Sequence, residues 1–274
     1  MYRDQVFVVK VGGETIERAE DRASLLEQIS VLQGLGVKVV LVHGGGPQAT
    51  ALAEKIGAES QFVDGRRVTD AAMLEAMVMS LKGTVRTMLL SSARAAGMKA
   101  IGLSGVDADL VTATRRPAQP VDYGFVGDIE TVQPQIVNDL LEGCYLPVVS
   151  PLCADVHGQV LNVNADSFAS ALAVDLGATK LIIVSAVRGV LRDVADPNSL
   201  ISVLDLPGLA EMEASGAMKE GMLPKASAMR KALEGGVKRV HVVSHRYPDS
   251  ILTEIFTNEG CGTMIVTEMS EAHA

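Results

Sequence analysis

Two stretches constrain this chain more than anything else in it. Gln5–Val11 is a nearly continuous β-branched run that ends at Gly12-Gly13, and Lys38–Val42 is a second run that passes through His43 into Gly44-Gly45-Gly46-Pro47. An apolar run of strand length with no polar alternation has no face for water. Both of its flanks must be covered, which is the condition of a parallel strand between layers of helix. Pro47 suits a first helical turn, so the second run reads as strand, turn, helix. At 274 residues, 48% of them hydrophobic and only 3% aromatic, the chain can bury one large α/β domain or two closely packed lobes.

The alternation continues. A helix is expected from about Asp21 to Gly34 and another from Pro47. A long helical stretch runs from the capping pair Thr69-Asp70 to about Ala96, with a break near Gly83. Ala100–Leu103 is a strand, and Leu110–Thr131, with Pro117, Pro120 and Gly124, reads as hairpins over a substrate site. Then come a helix over Pro134–Glu142, a strand over Leu146–Val149 and a hairpin around Gly158. Helix Ala165–Gly177, strand Lys180–Val184, helices Leu206–Ser215 and Pro224–Gly235 and strand Arg239–Val243 complete the pattern. There is no repeat, low-complexity tract or linker.

A formal charge of −9 speaks against nucleic acid as a partner, because phosphate backbones want a basic face. Cys144, Cys153 and Cys261 lack C-x-x-C spacing and read as reduced thiols of a cytoplasmic protein. Apolar runs such as Leu181–Val184 are too short to span a membrane.

Gly44-Gly45-Gly46 at the mouth of a helix suits an anion, since glycine lets it approach backbone N–H groups that the helix leaves unpaired. Gly44-x-Gly46-x-x-Ala49 also meets the permissive dinucleotide fingerprint, with Asp64 as its ribose carboxylate. Against an NAD site, Asp64 sits in the turn-like Phe62-Val63-Asp64-Gly65-Arg66-Arg67 and not at a strand end; no Walker A sequence is present either. Taken alone, Lys10 would be a strand-end lysine reaching solvent, Lys225 a helix-surface lysine and Asp166 an ordinary first-turn acid.

Four segments change that weighting together: Lys10-Val11-Gly12-Gly13, His43-Gly44-Gly45-Gly46, Asn162-Val163-Asn164-Ala165-Asp166 and Gly221-Met222-Leu223-Pro224-Lys225. In this order they resemble the amino acid kinase family. Gly65-Arg66-Arg67-Val68-Thr69-Asp70, Gly102-Leu103-Ser104-Gly105-x-Asp107 and Gly143-x-Tyr145-Leu146-Pro147-Val148-Val149 narrow the likeness to members that phosphorylate N-acetyl-L-glutamate in arginine biosynthesis. The resemblance covers Val6 to about Val266 and implies a three-layer αβα sandwich around a central, mostly parallel sheet. It implies one domain over 1–274 with two lobes: about 1–178 for the acceptor and a dimer interface, and about 179–274 for ATP.

The chemistry so implied is transfer of the γ-phosphoryl group of ATP to a side-chain carboxylate. By resemblance, Lys10 and Lys225 contact the transferring group and Asp166 orients both, a pairing expected to keep them charged. Gly45 and Gly46 present N–H groups to the phosphoryl group or acceptor; Arg67 grips the acceptor's α-carboxylate, and Asn162 binds that carboxylate or the acyl amide. Arg66 reads as a solvated neighbour and Asn164 fits a helix cap. The nucleotide side takes Lys10, Gly12, Gly13, Ser185, Val187, Gly189, Val190, Leu191, Met218, Lys219 and Lys225. No protein metal site is implied, and Mg²⁺ arrives on the ATP phosphates. One departure stands out: Ser185-Ala186-Val187-Arg188-Gly189-Val190 has Ala186 where the family carries an acid or amide, with Arg188 as a candidate substitute.

The Met- and Leu-rich stretch Ala72–Leu90 is expected to serve partly as core and partly as a homodimer interface. Because the first strand starts within a few residues of Met1, the helix that joins dimers in arginine-inhibited members is expected to be absent. Glu254-Ile255-Phe256-Thr257-x-x-Gly260-x-Gly262-Thr263 nevertheless resembles the sensitive branch. Two alternatives stay open: a sister kinase for another N-acylated glutamate or an aminoadipate derivative, and a non-catalytic sensor of an amino acid or nucleotide.

Overall fold

The computed structural model describes residues 2–273 apart from 64, 65, 194, 197, 216, 217 and 219–221. Its strands are β1 (Val6–Val11), β2 (Lys38–His43), β3 (Gln61–Val63), β4 (Arg66–Val68), β5 (Ala100–Ser104), β6 (Val111–Arg115), β7 (Gly127–Val132), β8 (Leu146–Ser150), β9 (Leu152–Ala154), β10 (Val160–Asn162), β11 (Lys180–Ser185), β12 (Val203–Asp205), β13 (Arg239–Ser244) and β14 (Thr263–Val266). The helices are α1 (Gly13–Glu17), α2 (Ala19–Gly34), α3 (Gly46–Lys55), α4 (Ala71–Val78), α5 (Arg86–Ala95), α6 (Gln135–Glu142), α7 (Ala165–Asp175), α8 (Leu206–Ala214), α9 (Leu223–Glu234) and α10 (Ser250–Phe256).

One 8-stranded sheet runs β12-β14-β13-β11-β1-β2-β8-β5. Its neighbours pair in parallel except β13 with β14, so the sheet is mostly parallel, as the apolar runs imply. β1 lies between β2 on one side and β11 on the other. Where neighbouring strands depart in opposite directions, their C-terminal loops separate and open a crevice, the usual ligand position in such sheets.

The period of two along β1 assigns its faces. Phe7, Val9 and Val11 join Leu26, Ile29, Leu89 and Ile251, the layer of α2, α5 and α10. Val8 joins Phe168, Leu172, Ala226 and Met229, the layer of α7 and α9. Burying each such aliphatic side chain is worth about 1.5–3 kcal/mol, so this double-sided core fixes the register of β1. Lys10 shares the parity of Val8 and must therefore point toward α7 and α9.

Two expectations need correction. The helix does not break near Gly83: α4 continues through a π-helical segment, Met79–Val85, into α5. The turn widens around the glycine without ending the helix, so α4, the π-helical segment and α5 run on as one. Asp70 does cap α4, accepting from the Met73 N–H at 2.8 Å. Leu110–Thr131 is one long hairpin, β6–β7, in a 4-stranded sheet β10-β9-β6-β7. The sequence reading also missed α1, the hairpin β3–β4, β12, α10 and β14 as elements. Most of these are too short to show a period.

Candidate active site

The C-terminal ends of β1 and β2 and the N-termini of α7 and α9 converge. Asn164 Oδ1 accepts from the N–H groups of Asp166 and Ser167 at 2.9 and 3.0 Å and so starts α7. That cap sets Asp166 in the first turn, buried and facing β1. Lys10 Nζ lies 2.7 Å from Asp166 Oδ1, and Lys225 Nζ donates to Oδ2 at 3.0 Å. The side chains of Lys10 and Asp166 are each 6% exposed, that of Lys225 20%. Three segments far apart in sequence thus deliver two ammonium groups to one carboxylate.

The electrostatics differ in part from expectation. Burial raises the Asp166 carboxyl, but the charges of Lys10 and Lys225 outweigh it, and the group titrates below its ordinary range. For Lys10 the balance falls the other way. Burial lowers it, Asp166 opposes this, and repulsion from Lys225 adds to the loss, so its net shift is downward. The pairing with Asp166 does not by itself hold Lys10 at full lysine basicity, because burial and the Lys225 charge together outweigh it.

The second glycine turn lies opposite. The Gly44 N–H donates to Val11 O at 2.8 Å, tying the two strand ends together. Gly45 precedes α3, whose first amides have no partner within the helix. A side chain at Gly45 would meet Leu81 Cδ2 at 2.5 Å, so the buried Leu81 side chain of the π-helical segment would have to shift to admit one. At Gly12 a side chain would meet no atom within 4 Å; the bare backbone there faces open space.

Two cavities flank the bridge: both lysines line the smaller, while their neighbours Ala165 and Pro224 line the larger. A cavity of about 460 Å³ is lined by Lys10, Gly12, Gly13, Ser185, Val187, Gly189, Val190, Leu191, Met218 and Lys225, which brings together every described residue expected on the nucleotide side. Lys219, with Ala217 and Gly221, lies outside the described residues. The larger cavity, about 1030 Å³, is lined by Gly45, Gly46, Arg67 and Asn162, together with Arg66, Tyr123 and much of β7. The β6–β7 hairpin therefore does border the expected acceptor side.

Arg67 is half-buried and oriented before any ligand arrives. It donates to Thr50 Oγ1 at 2.8 Å, Ser60 Oγ at 3.1 Å and Gly46 O at 3.2 Å, and stacks over Phe62 at 4.6 Å. Asn162 donates to Thr69 Oγ1 at 3.2 Å. Arg66 is exposed. Arg188 does not substitute for the side chain missing at Ala186: it donates to Cys261 O at 3.1 Å, lies 5.8 Å from the Tyr247 ring and does not line the smaller cavity. Neighbours that sequence reasoning missed include Glu14, Thr15 and Met222 on the smaller cavity, and Arg116 and Lys231 on the larger. No local signal marks them; the fold delivers them.

A profile of the amino acid kinase family matches residues 5–244. The chain is 45% identical over 284 residues to an acetylglutamate kinase of Myxococcus xanthus, covering 100% of this chain and 92% of that one. Its fold is similar to that of an N-acetylglutamate synthase from Neisseria gonorrhoeae, solved with coenzyme A and N-acetyl-glutamate, at a TM-score of 0.84 and 25% identity over 97% of this chain. This chain spans 60% of that synthase's length. It is also similar in fold to a Giardia carbamate kinase, with a TM-score of 0.72 and 16% identity over 97% of this chain and 99% of the other. A matched profile over most of the chain and a near-full-length relative lead to one conclusion: the chain belongs to the amino acid kinase family.

Proposed function

We propose that this chain transfers the γ-phosphoryl group of ATP to the side-chain carboxylate of N-acetyl-L-glutamate, giving N-acetylglutamyl 5-phosphate and ADP, a step of arginine biosynthesis. The observation that carries the proposal is the Lys10–Asp166–Lys225 bridge beside two cavities of different character. The name of the Myxococcus xanthus relative supports the acceptor.

A side-chain carboxylate, with an ordinary pKa of about 4.3, is already ionised at neutral pH and needs no general base. The barrier is electrostatic, because an anion must approach a triphosphate. ATP occupies the smaller cavity, with Mg²⁺ entering on its phosphates as part of the substrate. The acceptor lies in the larger cavity, its α-carboxylate on the pre-oriented Arg67 and its acyl-amide end near Asn162. Lys10 and Lys225 neutralise charge on the transferring group from two sides, and Asp166 holds both in place. The N–H groups of Gly45 and Gly46 supply further donors from the acceptor side, and the bare Gly12 and Gly13 backbone does so from the nucleotide side.

On this reading residues of about 1–178 hold the acceptor and a homodimer interface, about 179–274 hold most of the nucleotide site, and the enzyme works in the cytoplasm. An ATP-dependent hydroxamate assay with acetylglutamate, succinylglutamate and acetylaminoadipate tests the whole proposal. Turnover is expected with acetylglutamate foremost. Preference for either of the others points to a sister kinase, and no turnover with any to a sensor.

A further inference from the structure

One buried group beside this site takes no part in the chemistry above. His43 closes β2, is fully buried, and immediately precedes the glycine turn. Its Nδ1 lies 2.9 Å from the carbonyl oxygen of Gly44. A carbonyl oxygen only accepts, so Nδ1 carries the proton and donates. Nε2 is then bare, and among the described residues it has no partner. Burial pushes the ring down to about 4, so the imidazole stays neutral, and one tautomer holds across the physiological range.

The consequence lies in the next peptide. Gly44 is held at both ends: its N–H by Val11 O at 2.8 Å and its carbonyl by His43. A trans peptide is planar, with its C=O and N–H directed to opposite sides. Drawing the Gly44 oxygen back to the imidazole therefore turns the Gly45 N–H the other way, and Gly45 lines the larger cavity. Without an anchor, a Gly-Gly peptide rotates easily, because neither residue has a side chain to resist it. A donor fixed before the reaction needs no reorganisation as charge develops.

We propose that His43 is a positioning residue for phosphoryl transfer: its Nδ1–H anchors the Gly44 carbonyl and so aims the Gly45 N–H at the transferring phosphoryl group. This rests on the kinase reading above. A merely structural histidine would support the fold without regard to which ring nitrogen carries the proton. A positioning one depends on a donor at the Nδ1 position.

Three variants separate these cases. His43→Asn places an amide donor close to the Nδ1 position, His43→Gln moves it one bond further out, and His43→Leu removes it. With folding checked by circular dichroism, His43→Leu and His43→Gln are expected to lower kcat about a hundredfold with KM values nearly unchanged, and His43→Asn to recover most of it. Equal loss in all three, or a kcat near that of the unmodified protein in His43→Leu, overturns the assignment. ¹⁵N NMR of the unmodified protein gives a readout that does not depend on variant folding: a protonated Nδ1 is expected at neutral pH, and a protonated Nε2 overturns it. Absence of turnover in the unmodified protein overturns the kinase reading itself, whereas turnover that ignores the donor position overturns only this one.

Discussion

Asp166 neutralises one of the two positive charges that Lys10 and Lys225 bring to the site, which leaves an excess of one to meet the triphosphate. Removing either cation should raise the barrier to transfer far more than it weakens binding. We expect Lys10→Ala and Lys225→Ala each to lower kcat by about 10²–10³ with modest change in KM, measured by initial rates. The downward shift of Lys10 adds a pH signature. As pH rises through its folded pKa, which lies below the usual 10.5, Lys10 loses its proton and activity falls. Any stability that Lys10 adds through this shift is greatest above 10.5 and is lost as pH drops through the folded value, so its deprotonation does not loosen the fold. Bound triphosphate raises the group again, and the alkaline limb of kcat/KM should therefore lie at lower pH than that of kcat. Coincident limbs would contradict this. Lys10, Asp166 and Lys225 were legible as a set from the sequence, because each adjoins a motif. Their shared geometry was not, since it depends on the parity of β1 and on the cap at Asn164. Nor was the weakened basicity of Lys10, which comes from burial and the charge of Lys225 against the opposing pull of Asp166.

At the scale of the element, the turn before α3 and the π-helical segment are one unit, because Gly45 leaves no room between them. Gly45→Ala should cost about 1–3 kcal/mol in thermal or denaturant unfolding and reduce turnover. Leu81→Ala introduced beside it should restore part of both, a coupling that a double-mutant cycle measures. Gly12→Ala is the contrast. Its new methyl meets no protein atom, so unfolding should be unchanged while KM for ATP rises about tenfold, measured by titrating ATP at saturating acceptor. Strand ends and helix starts were readable where glycine or proline marks them, as at Gly44–Pro47 and Pro224. The π-helical segment was not: in sequence, Gly83 signals only that the helix is weakened. The widened turn carries Leu81 and Val85, both buried in the fold.

In the molecule as a whole, the alternating apolar runs were enough to imply a mostly parallel sheet between two helical layers, and the double-sided core of β1 is that implication realised. The order of strands was beyond sequence patterning, because pairing partners of β1 lie both near in the chain and far away. Assembly belongs to this scale too. Met79, 41% exposed at the start of the π-helical segment, lies in the stretch expected at a homodimer interface. Light scattering should give a mass of twice 28.8 kDa, and Met79→Asp should shift it toward the monomer.

The position of β1 has a further consequence during synthesis. One of its edges meets β2 almost at once, but the other waits for β11, which follows roughly 170 residues later. At a translation rate of about 5–20 residues per second, that edge stays open for roughly 10–30 s while the rest of the chain leaves the ribosome. An apolar strand with an unpaired edge is a template for pairing with another chain. Chaperone demand should accordingly concentrate on nascent chains that stop short of β11, and no such chain can yet hold Lys225 against Asp166.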